Sequence, residues 1–151
     1  FPVYKFKIKN EPVITDKISE SKQEEKFLLS DLPDVLIVDN DEASRDIIRL
    51  FLKNICNVDS AKSGEEAIKL AKAKSYKLIF MDINLGKGLS GIETTQKIKK
   101  LTAYKNTPIV ALTAFAMSGE KEEFLRKGCT HYLSKPFMKK DLLKLLRTII
   151  F

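Results

Sequence analysis

Val35-Leu36-Ile37-Val38-Asp39-Asn40-Asp41 sets four consecutive apolar residues directly before a polar, acidic tip. An apolar run without alternation is what a strand covered on both faces requires, and such strands belong to parallel sheets. Two further runs repeat the pattern. Leu78-Ile79-Phe80-Met81 ends in Asp82, and Ile109-Val110-Ala111-Leu112 ends in Thr113-Ala114. Asn57-Val58 and Tyr132-Leu133 sit in weaker strand candidates, the second leading into Ser134-Lys135-Pro136.

Between these runs the apolar residues keep helical spacing. They are Ile47, Leu50, Phe51 and Leu52; Ala67, Ile68 and Ala71; Ile92, Ile98 and Leu101; Phe124 and Leu125; and Leu142, Leu145, Leu146 and Ile149. Ser63 followed by Glu66 predicts a capping box at the start of the second helix, and Gly128 predicts the end of the fourth. Strictly alternating strand and helix implies right-handed crossovers and an α/β, doubly wound parallel sheet with helices on both faces. Such a sheet binds its ligand at the carboxyl ends of its strands.

Each of those ends carries a polar group. Carboxylates from two strands converging on one point repel by roughly 4 kcal/mol at about 4 Å and an effective dielectric near 20. A positive charge is therefore needed there. A hard divalent cation such as Mg²⁺, which takes a few carboxylate or carbonyl oxygens and keeps several waters, meets the need, and Lys135 supplies a second cation. Asp82 is then the candidate nucleophile, because a carboxylate can attack a phosphoryl group to give an aspartyl phosphate. The Thr113 hydroxyl could hydrogen-bond a transferring oxygen while Lys135 and the metal offset its charge. Taken singly, an Asp after a strand is ordinarily a helix cap, a Thr there a turn residue and Lys-Pro a surface dipeptide. Their joint placement at successive strand ends carries the reading.

Composition narrows the alternatives. The 151 residues, 44% apolar and 31% charged, suit one globular domain with an appendage. No apolar stretch is long enough for a membrane span and the N-terminus lacks the order of a signal peptide, so a cytoplasmic chain is expected. It begins at Phe1, which suggests a piece of something longer. Cys56 and Cys129 form no CxxC pair and read as small buried apolar residues. His131, the only histidine, excludes multi-histidine metal sites and reads as structural. The net charge of +7 is carried mostly by lysines spread along helical faces, with arginine only at 45, 49, 126 and 147, so nucleic acid is not an expected partner. Residues 1–31 balance six basic against six acidic side chains, leaving the whole excess to the remainder.

That first segment reads differently from the rest. Tyr4-Lys5-Phe6-Lys7-Ile8-Lys9 alternates with period two, so residues 1–10 are expected to form an added strand. Residues 11–31, mixed in charge and without periodicity, are expected to form a linker.

Residues 32–151 resemble a receiver domain of two-component response regulators. The motifs that carry the resemblance are Val-Leu-Ile-Val-Asp39-Asn40-Asp41, Met81-Asp82-Ile83-Asn84-Leu85 followed by Gly91-Ile92-Glu93, Pro108-Ile109-Val110-Ala111-Leu112-Thr113-Ala114, and Tyr132-Leu133-Ser134-Lys135-Pro136-Phe137. The resemblance implies the flavodoxin-like five-stranded sheet of order 2-1-3-4-5. It also implies a phosphoacceptor that takes a phosphoryl group from a phosphohistidine and catalyses its own phosphorylation and dephosphorylation. Asp82 matches the phosphoacceptor, Asp39 and Asn40 the acidic pair, and Asn84 the backbone-carbonyl ligand. With Asp82 these would hold Mg²⁺. Thr113 and Lys135 match the phosphate-contacting pair, and Thr113 and Tyr132 the switch. The family usually has Asp where Asn40 stands, so metal affinity is the property this substitution affects. Implied partners are a histidine kinase or histidine phosphotransfer protein, a downstream protein, and a second copy of the chain.

The strand Tyr4-Lys5-Phe6-Lys7-Ile8 is similar to the last strand of the ATP-binding domain of sensor histidine kinases, which implies the C-terminal piece of a hybrid kinase. A single-domain regulator with an N-terminal arm explains it equally. Rival readings are a haloacid-dehalogenase-like phosphatase using Asp39 and Asp41, in which Asp82 would have no role, and a flavodoxin, whose phosphate the acidic loop after Val38 would repel. A pseudo-receiver that is never phosphorylated and serves as a protein-binding module is the alternative, resting on Asn40.

Overall fold

The computed structural model describes residues 31–114 and 118–150, so the predicted added strand of residues 1–10 and all of the predicted linker except Asp31 lie outside the described residues. Five strands, β1 (Asp34–Val38), β2 (Asn57–Ala61), β3 (Leu78–Asp82), β4 (Ile109–Thr113) and β5 (His131–Ser134), pair in parallel in the order β2-β1-β3-β4-β5. Five helices alternate with them: α1 (Glu42–Leu52), α2 (Gly64–Ala73), α3 (Gly91–Lys99), α4 (Ser118–Arg126) and α5 (Lys139–Ile149). A 3-10 turn at Thr102–Tyr104 precedes β4. This is the doubly wound, flavodoxin-like sheet that the apolar runs and the motif resemblance imply.

Period two divides the sheet's side chains between two cores. Leu36, Val38, Ile79, Met81, Ile109 and Ala111 pack with Ala67 and Ala71 of α2, Ile98 of α3 and Phe124 of α4. Val35, Ile37, Leu78, Phe80, Val110 and Leu112 pack on the opposite face with Ile48 and Leu52 of α1 and Leu142 and Leu146 of α5. Both faces of β1, β3 and β4 are thus buried, which is why their sequences run apolar without alternation. β2 and β5 are the edges and read more weakly for that reason.

Several local expectations need correction. α1 buries Ile48 and Leu52, whereas Ile47 and Leu50 are exposed, and Leu125 of α4 is exposed as well. Leu101 lies beyond the end of α3, as the residue before the 3-10 turn. At α2 only half of the predicted capping box forms: the Ser63 hydroxyl accepts the Glu66 N–H at 3.2 Å, but the Glu66 carboxylate accepts from Lys62 N–H rather than from Ser63. The complete box belongs to α3, where Ser90 and Glu93 cap one another reciprocally. Gly128 does follow the end of α4, donating its N–H to Leu125 O at 3.4 Å. Cys56 and Cys129 are free thiols in the core; burial pushes the first up to about 11 and raises the second as well. His131 sits on β5 with its Nδ1 2.9 Å from the Thr130 hydroxyl, a structural contact.

Candidate phosphoacceptor site

Register and pleat together assemble the site. Val38 of β1 stands beside Met81 of β3, so Asp39 and Asp82, one residue further on, come side by side. Asp39 continues the alternation of Val35 and Ile37, and Asp82 that of Leu78 and Phe80, so both carboxylates fall toward the same face of the sheet. On β5, Leu133 packs into that same core and Lys135 follows it by two. The Lys135 backbone N–H donates to Thr113 O at 2.8 Å, carrying the pairing of β4 and β5 past its last register position.

The result is one cation between two anions. Lys135 Nζ donates to Asp39 Oδ2 at 2.8 Å and to Asp82 Oδ2 at 3.2 Å. Asp39 is wholly buried, and its Oδ1 accepts the Asp41 N–H at 2.9 Å. Asp82 Oδ1 accepts the Asn84 N–H at 2.9 Å. Burial raises the Asp82 pKa above the usual carboxylate range and the neighbouring Asp39 charge adds to this, against the Asn84 N–H and Lys135, which lower it. Burial works against the Lys135 ammonium, but the hydrogen bond to Asp39 and the charges of both carboxylates outweigh it and hold its pKa above the ordinary value.

A cleft of about 490 Å³ opens beside this cluster, lined among others by Asn40, Asp82, Asn84, Thr113 and Lys135. Asn40 and Asn84 are exposed there, and Thr113 is nearly buried. The donor set consists of hard oxygens from two carboxylates and two amide-bearing residues, and no cluster of three or more acidic, cysteine or histidine ligands occurs among the described residues. This suits Mg²⁺, which keeps several waters and needs only one or two carboxylates. Tyr132 is not part of the cleft. It sits two residues before Ser134 on β5, partly buried against the core on the α2–α4 face, with Lys121 Nζ of α4 4.4 Å from its ring centroid.

Other contributors surround these residues, and of them only Asp41 carried a sequence signal, as part of the acidic tip after β1. Asp41 caps α1, accepting from the Ser44 N–H at 3.3 Å and its hydroxyl at 2.9 Å, the ordinary role of an Asp after a strand. Arg45 Nη1 donates to Asp39 O at 2.7 Å from one turn into α1. Glu120 and Glu123 of α4 line the cleft, although their spacing reads only as a solvated helix face.

Residues 35–147 match the family model of the response regulator receiver domain. The chain belongs to that family. The chain is 39% identical over 134 residues to hybrid signal transduction histidine kinase G of Dictyostelium discoideum, an alignment covering 86% of this chain and 4% of that kinase, so the chain spans a small fraction of such a relative. The chemotaxis response regulator CheY4 of Vibrio cholerae superposes with a TM-score of 0.75 at 30% identity, covering 79% of this chain and 99% of that one. The receiver domain of sensor histidine kinase PA1611 from Pseudomonas aeruginosa, solved with magnesium coordinated in its active-site cleft, superposes with a TM-score of 0.72 at 30% identity, over 79% of this chain and 98% of that one. The chain is thus a receiver domain of two-component signalling, of the kind found in hybrid kinases and in response regulators. Among the described residues, no helix is long and apolar enough to cross a membrane.

Proposed function

We propose that Asp82 accepts a phosphoryl group from the phosphohistidine of a histidine kinase or phosphotransfer protein, in the cytoplasm. An Asp82 carboxylate oxygen attacks phosphorus as the P–N bond breaks and its electron pair returns to the imidazole nitrogen. The observation that carries this reading is the Lys135 ammonium held within hydrogen-bond distance of both Asp39 and Asp82. It presents positive charge where the transferring group arrives, and burial makes Asp82 more basic than a free carboxylate, which favours attack. Asp39, Asn40, Asp82 and the backbone carbonyl of Asn84 would hold Mg²⁺, which when bound neutralises charge on the phosphoryl oxygens.

An apolar groove of about 350 Å³ adjoins Lys135, walled by Ile47 and Ile48 of α1 and by Pro136 and Phe137, and we assign it to the incoming donor. On the other side of the sheet, Thr113 lines the cleft and shares β4–β5 pairing with Tyr132, whose neighbour across the register is Ala111. Phosphorylation adds about −1.5 to −2 charges. Movement of Thr113 toward them would free space for Tyr132 and remodel the face presented to a downstream partner. The chain then serves either within a hybrid kinase or as a regulator in its own right.

Incubation with phosphoramidate and Mg²⁺, followed by intact mass, tests the reading. One added phosphoryl group is expected in the native sequence and none in Asp82→Ala. Retention of the group in that variant means another acceptor; no uptake at all with either small donors or a phosphohistidine protein favours the pseudo-receiver.

A further inference from the structure

We propose that Glu65 is a positioning residue for the loop that carries Asp82 and Asn84, acting by accepting the Leu89 N–H and so fastening that loop to the start of α2. This role rests on the reading of Asp82 and its Mg²⁺ given above. Glu65 touches neither the carboxylate cluster nor the cleft, and an exposed Glu in the first turn of a helix ordinarily does no more than complement the helix dipole.

Its contact here is more specific. Oε1 lies 3.0 Å from the Leu89 nitrogen, 24 positions away. The Leu89 N–H is also the first cause of a Glu65 pKa below the usual carboxylate range, because the ionised form is the stronger acceptor. Gly88 shows how closely the carboxylate fits the loop: a Cβ there would lie 2.7 Å from Glu65 Oε1, on a backbone with φ of +83° that L side chains rarely adopt.

The need for an outside anchor follows from the loop's own bonds. Asn84 N–H donates to Asp82 Oδ1 and Gly86 N–H to Asn84 Oδ1 at 3.3 Å, both local. Gly91 N–H closes the base of the loop on Ile83 O at 3.0 Å. Among the described residues, the hydrogen bond to Glu65 is the one that ties residues 84–89 to another helix. Leu85 is buried and anchors one arm by packing, while the arm from Gly86 to Leu89 meets α2 through the Leu89 N–H on Glu65 and through Leu89 Cβ, set close against Gly64. Freeing that arm lets Asn84 sample other orientations, so the carbonyl offered to the metal and the N–H held by Asp82 lose their fixed positions. Pre-organisation of a ligand set in this manner is what partners one step removed from a metal supply.

The test compares Glu65→Ala with Glu65→Gln, whose side-chain oxygen still accepts the Leu89 N–H, in the full chain. Amide shifts read Mg²⁺ binding, hydrogen exchange reads the Leu89 amide, intact mass reads the rate of phosphorylation by phosphoramidate, and thermal unfolding reads global stability. In Glu65→Ala, Leu89 should exchange faster, and Mg²⁺ affinity and phosphorylation rate at limiting Mg²⁺ should fall about 3- to 10-fold, the range of one ordinary hydrogen bond at an exposed site. Glu65→Gln should stay near the native values, with little change in unfolding midpoint in either variant. Unchanged Mg²⁺ affinity and rate in Glu65→Ala, or equal impairment in Glu65→Gln, overturns the role while leaving Asp82 as acceptor. A native chain that takes up neither Mg²⁺ nor a phosphoryl group overturns the acceptor reading, and this role with it.

Discussion

Asp39 has no exposed surface, and both of its carboxylate oxygens are engaged, one by the Asp41 N–H and the other by Lys135. A buried ion pair adds little net stability, but removing one partner leaves a charge without compensation. Lys135→Met should therefore destabilise the receiver by roughly 2 to 3 kcal/mol in urea unfolding, below the full penalty because the Lys135 side chain keeps some solvent contact. A loss under 0.5 kcal/mol, of the order of an exposed pair, would mean that Asp39 is compensated by other groups. Asn40 poses the opposite case. Exposed in the cleft, it places a neutral amide on the same wall as the Asp82 carboxylate. Asn40→Asp should tighten Mg²⁺ binding about 3- to 10-fold, since an added anion attracts a divalent cation more strongly than it repels the remaining carboxylates. Equal or weaker binding in an amide-shift titration removes Asn40 from the metal side of the site.

The helices owe their ends to side chains as much as to propensity. α2 finishes with carbonyls that lack intrahelical partners, and Tyr104, from the 3-10 turn some thirty positions later, holds its one hydroxyl proton between Ala71 O at 2.8 Å and the O of Lys74, which caps the helix. The ring is buried in the core while its tip serves the helix end. Tyr104→Phe keeps the packing and deprives those carbonyls of their donor, so a loss of about 1 to 2 kcal/mol is expected, with Asp82 phosphorylation unchanged. A neutral result in thermal unfolding would show that solvent replaces the hydroxyl. At the other end of the neighbouring helix, Gly91 starts α3 against the backbone it leaves: a Cβ there would lie 2.2 Å from Asp82 O. The helix can begin this close to Asp82 only with glycine in that position.

Across the molecule, the site opposes the fold's stability in a pH-dependent way. The raised pKa of Asp82 means that the native state binds more protons than the unfolded one above the ordinary value of 3.8. Stability is therefore lost as pH rises through the folded pKa. Asp82→Asn lacks this loss, so it should unfold at higher temperature than the native chain at pH 7, and the advantage should vanish near pH 3, where the carboxyl is protonated in both states. Lys135 acts in the other window: its raised pKa stabilises the fold below 10.5, and that contribution disappears as pH rises through the folded value. Differential scanning of both proteins from pH 3 to 7 checks the first effect; an advantage independent of pH would trace the gain to shape rather than charge.

How much was legible depended on whether a residue's partner was near in sequence or brought by the fold. The central strands could be read from the sequence because burial on both faces removes alternation, and Asp39, Asp82, Thr113 and Lys135 stood out because each ends a strand. Charge chemistry at strand ends is encoded in residue type and place, which composition and order carry by themselves. Ile47, Leu50 and Leu125 could not be assigned to a face by periodicity, since which apolar residue of a helix meets the sheet depends on how the helix is rolled against it. Glu65, Arg45, Lys121 and Tyr104 were invisible for a related reason: their roles lie in contacts to Leu89, Asp39, Tyr132 and the end of α2. The sequence by itself determined the sheet, its acidic mouth and the lysine that answers it. Only the tertiary structure decided which side chains hold those groups in place, because a hydrogen bond between residues far apart in the chain exists only once register and helix packing have brought donor and acceptor within 3 Å or so.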